Sequence, residues 1–356
     1  MAKVRASLIA PVLGNCAAWL FCAVALPAVG ADAITSPQLE AMLSMGFDSN
    51  PAQSRDGPAL GFAALALGVE QPLPFLRGVR LEGDAWLRDY AGPNDSGRLD
   101  IGLVSSQMLG ITQIDLWAEA GWYRDQLVTA DERNENALGV LARRPLSARL
   151  DLRLFAERRW LDYRNLVLPW AGRPGGIGLS IRGQSPVIPV RDQHGGVLTG
   201  MGCGRGPASR SSPMQDDCPQ RISPQQRKDR FDLLALETTW FPAAKLSLML
   251  GLDSGWRESS LALDSYRQQA VRLALTFDPS PNWSLIADTG LSRRDYWQAP
   301  RTIERVDHQR WLGIALHRWL ADGALYCGLD LLDSRSTIEV EAFRQWSTEC
   351  GWQRRF

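Results

Sequence analysis

Histidine is nearly missing from this 356-residue chain, with three in all, and net charge is missing altogether: 39 basic side chains balance 39 acidic ones. A neutral chain with no basic stripe offers no electrostatic footprint for nucleic acid. His194, His308 and His317 are too few and too scattered to form a metal motif, and no Ser-containing elbow accompanies them. His308 has Asp307 beside it, but sequence neighbours on a strand point to opposite faces. No cofactor or catalytic constellation emerges, so the chain is expected not to be an enzyme, with a lipid-modifying barrel enzyme as a remote alternative. Also absent, beyond residue 33, is any run approaching the ~18 apolar residues that cross a bilayer as a helix.

An apolar run does occur at the start. Lys3 and Arg5 precede a mostly apolar stretch that exits through Ala31-Asp32-Ala33, a small-residue cleavage pattern. Residues 1–33 are therefore expected to be a signal peptide, leaving 34–356 as an exported domain.

The exported part alternates with a period of two. Val271, Leu273, Leu275 and Phe277 oppose Arg272, Ala274 and Thr276, and Leu246, Leu248, Leu250 and Leu252 oppose Ser247, Met249, Gly251 and Asp253. Leu150, Leu152 and Leu154 oppose Asp151, Arg153 and Glu157 in the same way. Such blocks approach the 9–11 residues that cross a bilayer as tilted strands. A soluble sandwich alternates too. What favours a barrel is a polar face mixing both charge signs with glycine, and connections that alternate between tight ones and long polar ones. The expected fold is all-β: an antiparallel transmembrane barrel of about fourteen strands, with short periplasmic turns and one long extracellular loop. Strands are expected to begin near Leu39, Ala59, Gly78, Gly97, Thr112, Asn134, Ala148, Arg230, Lys245, Tyr266, Trp283, Asp307, Gly323 and Phe343. The expected location is the bacterial outer membrane, with its lipids as the first partner.

Fourteen tryptophans fit that setting. Trp240, Trp283, Trp319 and Trp352 fall near short turns, and Trp86, Trp122, Trp160, Trp256 and Trp297 near long loops, as two interfacial girdles would require, although some rings have inward phase.

Alternation also nominates a polar lumen: Asp84, Arg88, Asp115, Glu119, Asp151, Arg153, Glu157, Glu237, Asp253, Arg272, Asp288 and Arg294 have inward phase. These residues fill the interior by pairing across strands, line a path for a solute or secreted polymer, or do both. The segment 165–228, rich in Gly, Pro, Arg and Ser, breaks the pattern and is expected to be a functional loop that caps the lumen. Cys203 and Cys218 within it are expected to bridge in an oxidising compartment. Counting from the centre of the last hairpin places Cys327 opposite Cys350 on the outward face; whether they bridge is left open, because ordinary cross-strand spacing slightly exceeds disulfide geometry.

The ending "CGWQRRF" resembles, in Gly351 and Phe356, the terminal signal that barrel-assembly machinery reads in outer-membrane proteins; Arg354 stands where that pattern has an apolar residue. "MGFDSNP" at Met45–Pro51, "RVDHQRWLGIALHR" at Arg305–Arg318 and the R-R-F ending resemble the C-terminal barrel of the surface lipoprotein assembly modifier family. That resemblance implies about fourteen strands and a lipoprotein partner. The chain departs from the family in lacking a visible helical-repeat domain before the barrel. The residues themselves imply a pore or export channel, with a structural, surface-display or lipoprotein-assembly barrel of little conductance as the alternative.

Overall fold

The computed structural model describes residues 37–54, 57–92, 94–167, 225–261, 264–297 and 304–356. The expected signal peptide, most of the expected long loop, His194 and the Cys203–Cys218 pair lie outside the described residues.

Fourteen strands follow one another: β1 (Gln38–Asp48), β2 (Leu60–Pro72), β3 (Val79–Tyr90), β4 (Ser96–Leu109), β5 (Thr112–Asp125), β6 (Arg133–Ser147), β7 (Leu150–Val167), β8 (Gln225–Ala243), β9 (Leu246–Ser259), β10 (Tyr266–Ser280), β11 (Trp283–Tyr296), β12 (Val306–Leu320), β13 (Gly323–Ser336) and β14 (Phe343–Arg355). Each pairs antiparallel with its neighbours in sequence, and β1 pairs with β14, closing the sheet into a barrel. Closure satisfies every edge, which a sheet in hydrocarbon needs because lipid offers no hydrogen bonds. At the seam the backbone N–H of Phe356 donates to Leu39 at 2.7 Å.

Two-residue turns separate β4 from β5, β6 from β7, β8 from β9, β10 from β11 and β12 from β13, all at one end. The sixth connection at that end, β2–β3, spans residues 73–78, and every connection at the other end is at least as long as residues 91–95 between β3 and β4. This asymmetry makes the short-turn end periplasmic and the long end extracellular. Observed strand starts follow the alternation, coinciding with expectation at Thr112, Tyr266, Trp283, Gly323 and Phe343. The largest difference is β8, expected from Arg230 and beginning at Gln225. Its first residues have no apolar outer face; pairing with β7 at Gln226 and Gln225 sustains the strand instead.

The outer surface is a belt of apolar side chains, with Leu43 at 59%, Leu273 at 52% and Leu291 at 58% exposure. A soluble domain does not leave such a continuous apolar band in water. It is the lipid-facing surface of an outer-membrane barrel. Trp122, Trp160, Trp256 and Trp297 stand on the outer face near the long connections, joined by Trp346, and Trp240, Trp283 and Trp352 near the turns. Two girdle expectations need correction. Trp86 packs within the barrel against Tyr123, ring centroids 6.1 Å apart, and Trp319 donates to inward Ser284 at 2.9 Å. Both lie on the inward phase of their strands. Trp117 and Trp311 are also internal, lying over the backbone of Gly139 and Gly290, where a Cβ would meet their rings at 2.1 Å.

Cys327 and Cys350 are direct cross-strand partners and form a disulfide on the outer face, with Cα atoms 4.1 Å apart. That separation is shorter than an ordinary antiparallel pair, so the bridge forms through close local approach of β13 and β14.

Candidate functional site: the barrel interior

The structure places all twelve nominated charged residues on inward phase, but in different company. Arg153, Glu237, Asp253 and Arg272, drawn from four successive strands, come together: Arg272 lies 3.3 Å from Asp253 and 3.8 Å from Glu237, and Arg153 lies 3.8 Å from Glu237. Asp151 accepts from Arg143 at 2.9 Å, Asp115 from Gln113 at 3.0 Å, and Arg294 donates to Gln268 at 2.8 Å. Arg88 reaches Glu349 across the seam at 3.1 Å and stacks over the Phe62 ring.

Glu119 and Glu157 belong to a larger cage. Its centre is Glu135, 3% exposed, which accepts from Arg159 at 2.6 Å, Arg133 at 2.7 Å and Arg98 at 3.0 Å. Glu157 pairs with Arg159 at 3.1 Å, and Glu119 lies 3.6 Å from it. A second cage joins Arg227 to Asp229 at 2.9 Å and to Asp264 at 2.8 Å, while Arg257 donates to Asp229 and to the Tyr163 hydroxyl, each at 2.7 Å. Neither centre was nominated from sequence. The signal was available: Arg133, Glu135, Arg227, Asp229 and Arg257 hold the same two-residue phase as the residues that were.

The interior is also less polar than alternation suggests. Val104, Trp117, Phe155, Phe231, Leu233, Ala235, Tyr266 and Tyr296 form one buried cluster inside the barrel. Packed aromatics and ion cages thus fill the wall from β4 through β10.

The remaining wall holds large rings too, Phe62, Trp86, Trp311 and Tyr326, but a band of small inward residues runs between them and makes it thin there. Ala64, Ala66 and Gly68 face inward on β2, Gly313 and Ala315 on β12, and Gly328 on β13. Asp84 and Asp330, also inward, are exposed within the barrel. Asp288, Gly313 and Asp330 are direct partners across β11, β12 and β13. A Cβ on Gly313 would stand 2.5 Å from one carboxylate and 2.9 Å from the other, so glycine is what lets both lean over that strand. With Glu349 on β14 ion-paired to Arg88, the middle of this sector presents Asp84, Asp288 and Asp330, while Arg80 on β3, held by Glu70 and Glu82, and Arg294 on β11 lie toward its ends.

The two histidines in the described region do not make a catalytic site. His308 is on the outer face, whereas His317 is internal and stacks on Tyr326 with centroids 5.7 Å apart. Among the described residues no group of three or more His, Cys, Asp or Glu is arranged to hold a metal.

No family model matches the chain, and no curated protein does. Among solved structures it is similar to outer-membrane expressed OmpT of Vibrio cholerae, at 7% identity and TM-score 0.44, covering 93% of this chain and 100% of that one. It is also similar to an anion-selective porin from Comamonas acidovorans, at 11% identity and TM-score 0.42, covering 90% and 99% respectively. A bacterial polysaccharide outer membrane secretin matches at 10% identity and TM-score 0.41, covering 91% and 100%. Likenesses at this level assign neither activity nor cargo to the chain.

Proposed function

We propose that this barrel is a polar pore of the outer membrane whose water path follows the thin sector from β11 through the seam to β3. The observation that carries the reading is the pairing of small inward residues with exposed Asp84 and Asp330, opposite a wall that is already filled. A path on one side of the barrel suits small polar solutes. Its acidic excess favours cations, because carboxylates in a confined passage raise the local concentration of counter-ions. Planar-bilayer recording of the purified mature chain tests this. Discrete channels with a reversal potential showing cation preference are expected in a salt gradient, and Asp84→Asn with Asp330→Asn should reduce that preference. Silent bilayers would favour the structural, surface-display barrel.

The lipoprotein-assembly reading has no observation of its own. Its first-hairpin motif is engaged in closing a loop: Asp48 accepts from Gln345 at 2.8 Å, and Asn50 donates to the Arg344 carbonyl at 3.1 Å. For biogenesis, the rim position of the Phe356 ring supports its presentation to barrel-assembly machinery.

A further inference from the structure

On β1–β3 the lipid-facing surface stays apolar up to the extracellular loops. Met45 and Phe47 on β1 and Leu65 and Leu87 on β2 and β3 are exposed there, with Asp89 the charged residue of that stretch. The outer face of β10–β14 differs. Arg293, His308 and Arg335 are direct partners across β11, β12 and β13, and one row lower Arg310, Asp333 and Arg344 are partners across β12, β13 and β14. Neighbouring strands lie about 4.8 Å apart, so these cations form a compact patch. With Arg267 on β10, five arginines face two aspartates, Asp295 and Asp333.

The internal pairing does not neutralise the patch. Asp333 is shared, at 3.1 Å from Arg335 and 3.3 Å from Arg344, and Asp295 takes Arg293 at 2.8 Å. Arg310 and His308 have no ion pair or hydrogen bond among the described residues. An arginine on the lipid face costs about 2–4 kcal/mol at the bilayer midplane and falls toward zero near the interface. Arg310 therefore extends toward the headgroup layer while its stem lies against lipid.

Directly beside the patch is an apolar groove of about 640 Å³ in the outer surface, floored by Leu236, Leu252, Val271 and Leu291 and rimmed by Arg293 and His308. We infer that this face binds a phosphorylated, acylated glycolipid of the outer leaflet, with acyl chains along the groove and phosphate on Arg293, Arg310 and Arg335. Charge complementarity chooses this occupant. Guanidinium groups at headgroup depth form charge-assisted hydrogen bonds with phosphate: Arg310 has no ion pair of its own, Arg293 and Arg335 keep donors beyond those given to Asp295 and Asp333, and the groove supplies contact for the chains. The outer face of β7–β9 also carries charge, but there Arg158 and Arg230 are matched by Asp232 and Glu258, whereas here five arginines meet two aspartates. The inference stands whether or not the lumen conducts.

The test is native mass spectrometry of the folded mature chain in detergent. The probe is purified bisphosphorylated lipid A, compared with the same lipid after both phosphates are removed. The phosphorylated lipid should be retained about tenfold more strongly, as charge-assisted contacts imply. The triple variant Arg293→Gln, Arg310→Gln, Arg335→Gln should abolish the preference. Arg158→Gln, on the outer face of β7, should leave it intact. Heat-modifiable gel migration reports folding. If the triple variant does not fold, Arg310→Gln alone should weaken the preference and Arg310→Lys should keep most of it. No phosphate preference in the parent, an unaltered preference in the glutamine variants, or equal competition by phosphatidylglycerol would each overturn the assignment.

Discussion

The two halves of the inner wall are built by the same alternation and do different things. From β4 to β10, inward positions carry arginine, glutamate and aromatic rings, and Glu135 alone takes three guanidinium groups. From β11 round to β3, the inward positions include alanine and glycine, with carboxylates exposed between them. A barrel lumen is set by side-chain volume as much as by strand number. Period two selects the face; residue size decides whether that face is filled.

Removing one charge from each half should separate the two walls most clearly. Glu135→Ala leaves three arginines without their shared acceptor, and breaking a buried pair of this kind costs about 3–5 kcal/mol. Loss of the fast-migrating folded band, or a clearly lower urea midpoint, is expected. Asp330→Ala, exposed in the thin half, should change stability by less than about 1 kcal/mol. Equal effects would erase the distinction between filled and open walls.

A smaller effect is expected at the seam. Gly351 faces inward, where a Cβ would meet the Leu43 carbonyl at 2.6 Å and the Tyr326 ring at 2.7 Å. Gly351→Ala should destabilise by about 1–3 kcal/mol through overpacking. Adding Tyr326→Ala should recover part of that loss if packing is the reason for the glycine. No recovery, together with poor assembly in cells, would point instead to recognition of the C-terminal signal. Deleting Phe356 should reduce assembly in cells; normal assembly of the deletion would remove Phe356 from that role.

Bulk added to the thin half should narrow the path. Gly328→Phe is expected to lower single-channel conductance without changing urea stability by more than about 1 kcal/mol. Conductance equal to the parent's would move the path elsewhere.

The smallest effect concerns the mouth. Glu341, in the β13–β14 connection, lies 3.4 Å from Arg305. Burial pushes its carboxyl up to about 7; Arg305 opposes the shift, while Asp307 and Asp264 add to it. The folded chain then holds a proton that the unfolded chain releases near 4.5, so this contribution to stability falls as pH rises from there through about 7. Hydrogen exchange in this connection, corrected for intrinsic rates, should be faster at pH 8 than at pH 5.5 by about threefold to tenfold. Glu341→Gln should remove the difference.

Much of this was legible in the sequence because lipid imposes a strict rule. Leu246, Leu248, Leu250 and Leu252 could only face outward together, and the turn lengths gave the orientation. The opposition of Cys327 and Cys350 followed from counting along one hairpin. Less legible was the filling of the lumen. Whether Glu135 meets three arginines or one depends on register across several strands, which a single strand's pattern does not encode. The rings of Trp117 and Trp311 belong inside because glycines on adjacent strands make room for them, a pairing that is invisible until the strands are aligned. The basic outer face was overlooked for a related reason: Arg293, Arg310 and Arg335 are far apart in sequence and interrupt apolar strands one at a time.

The Cys327–Cys350 bridge sits on the lipid-facing surface between the last two strands. Once the barrel is in the membrane, a water-borne reductant has little access to it, and the bond is protected by its solvent. Before insertion it is open to the oxidising compartment the chain crosses. The final hairpin can therefore acquire its covalent register in transit and reach the membrane as a tied pair, leaving β1 against β14 as the junction that still has to close.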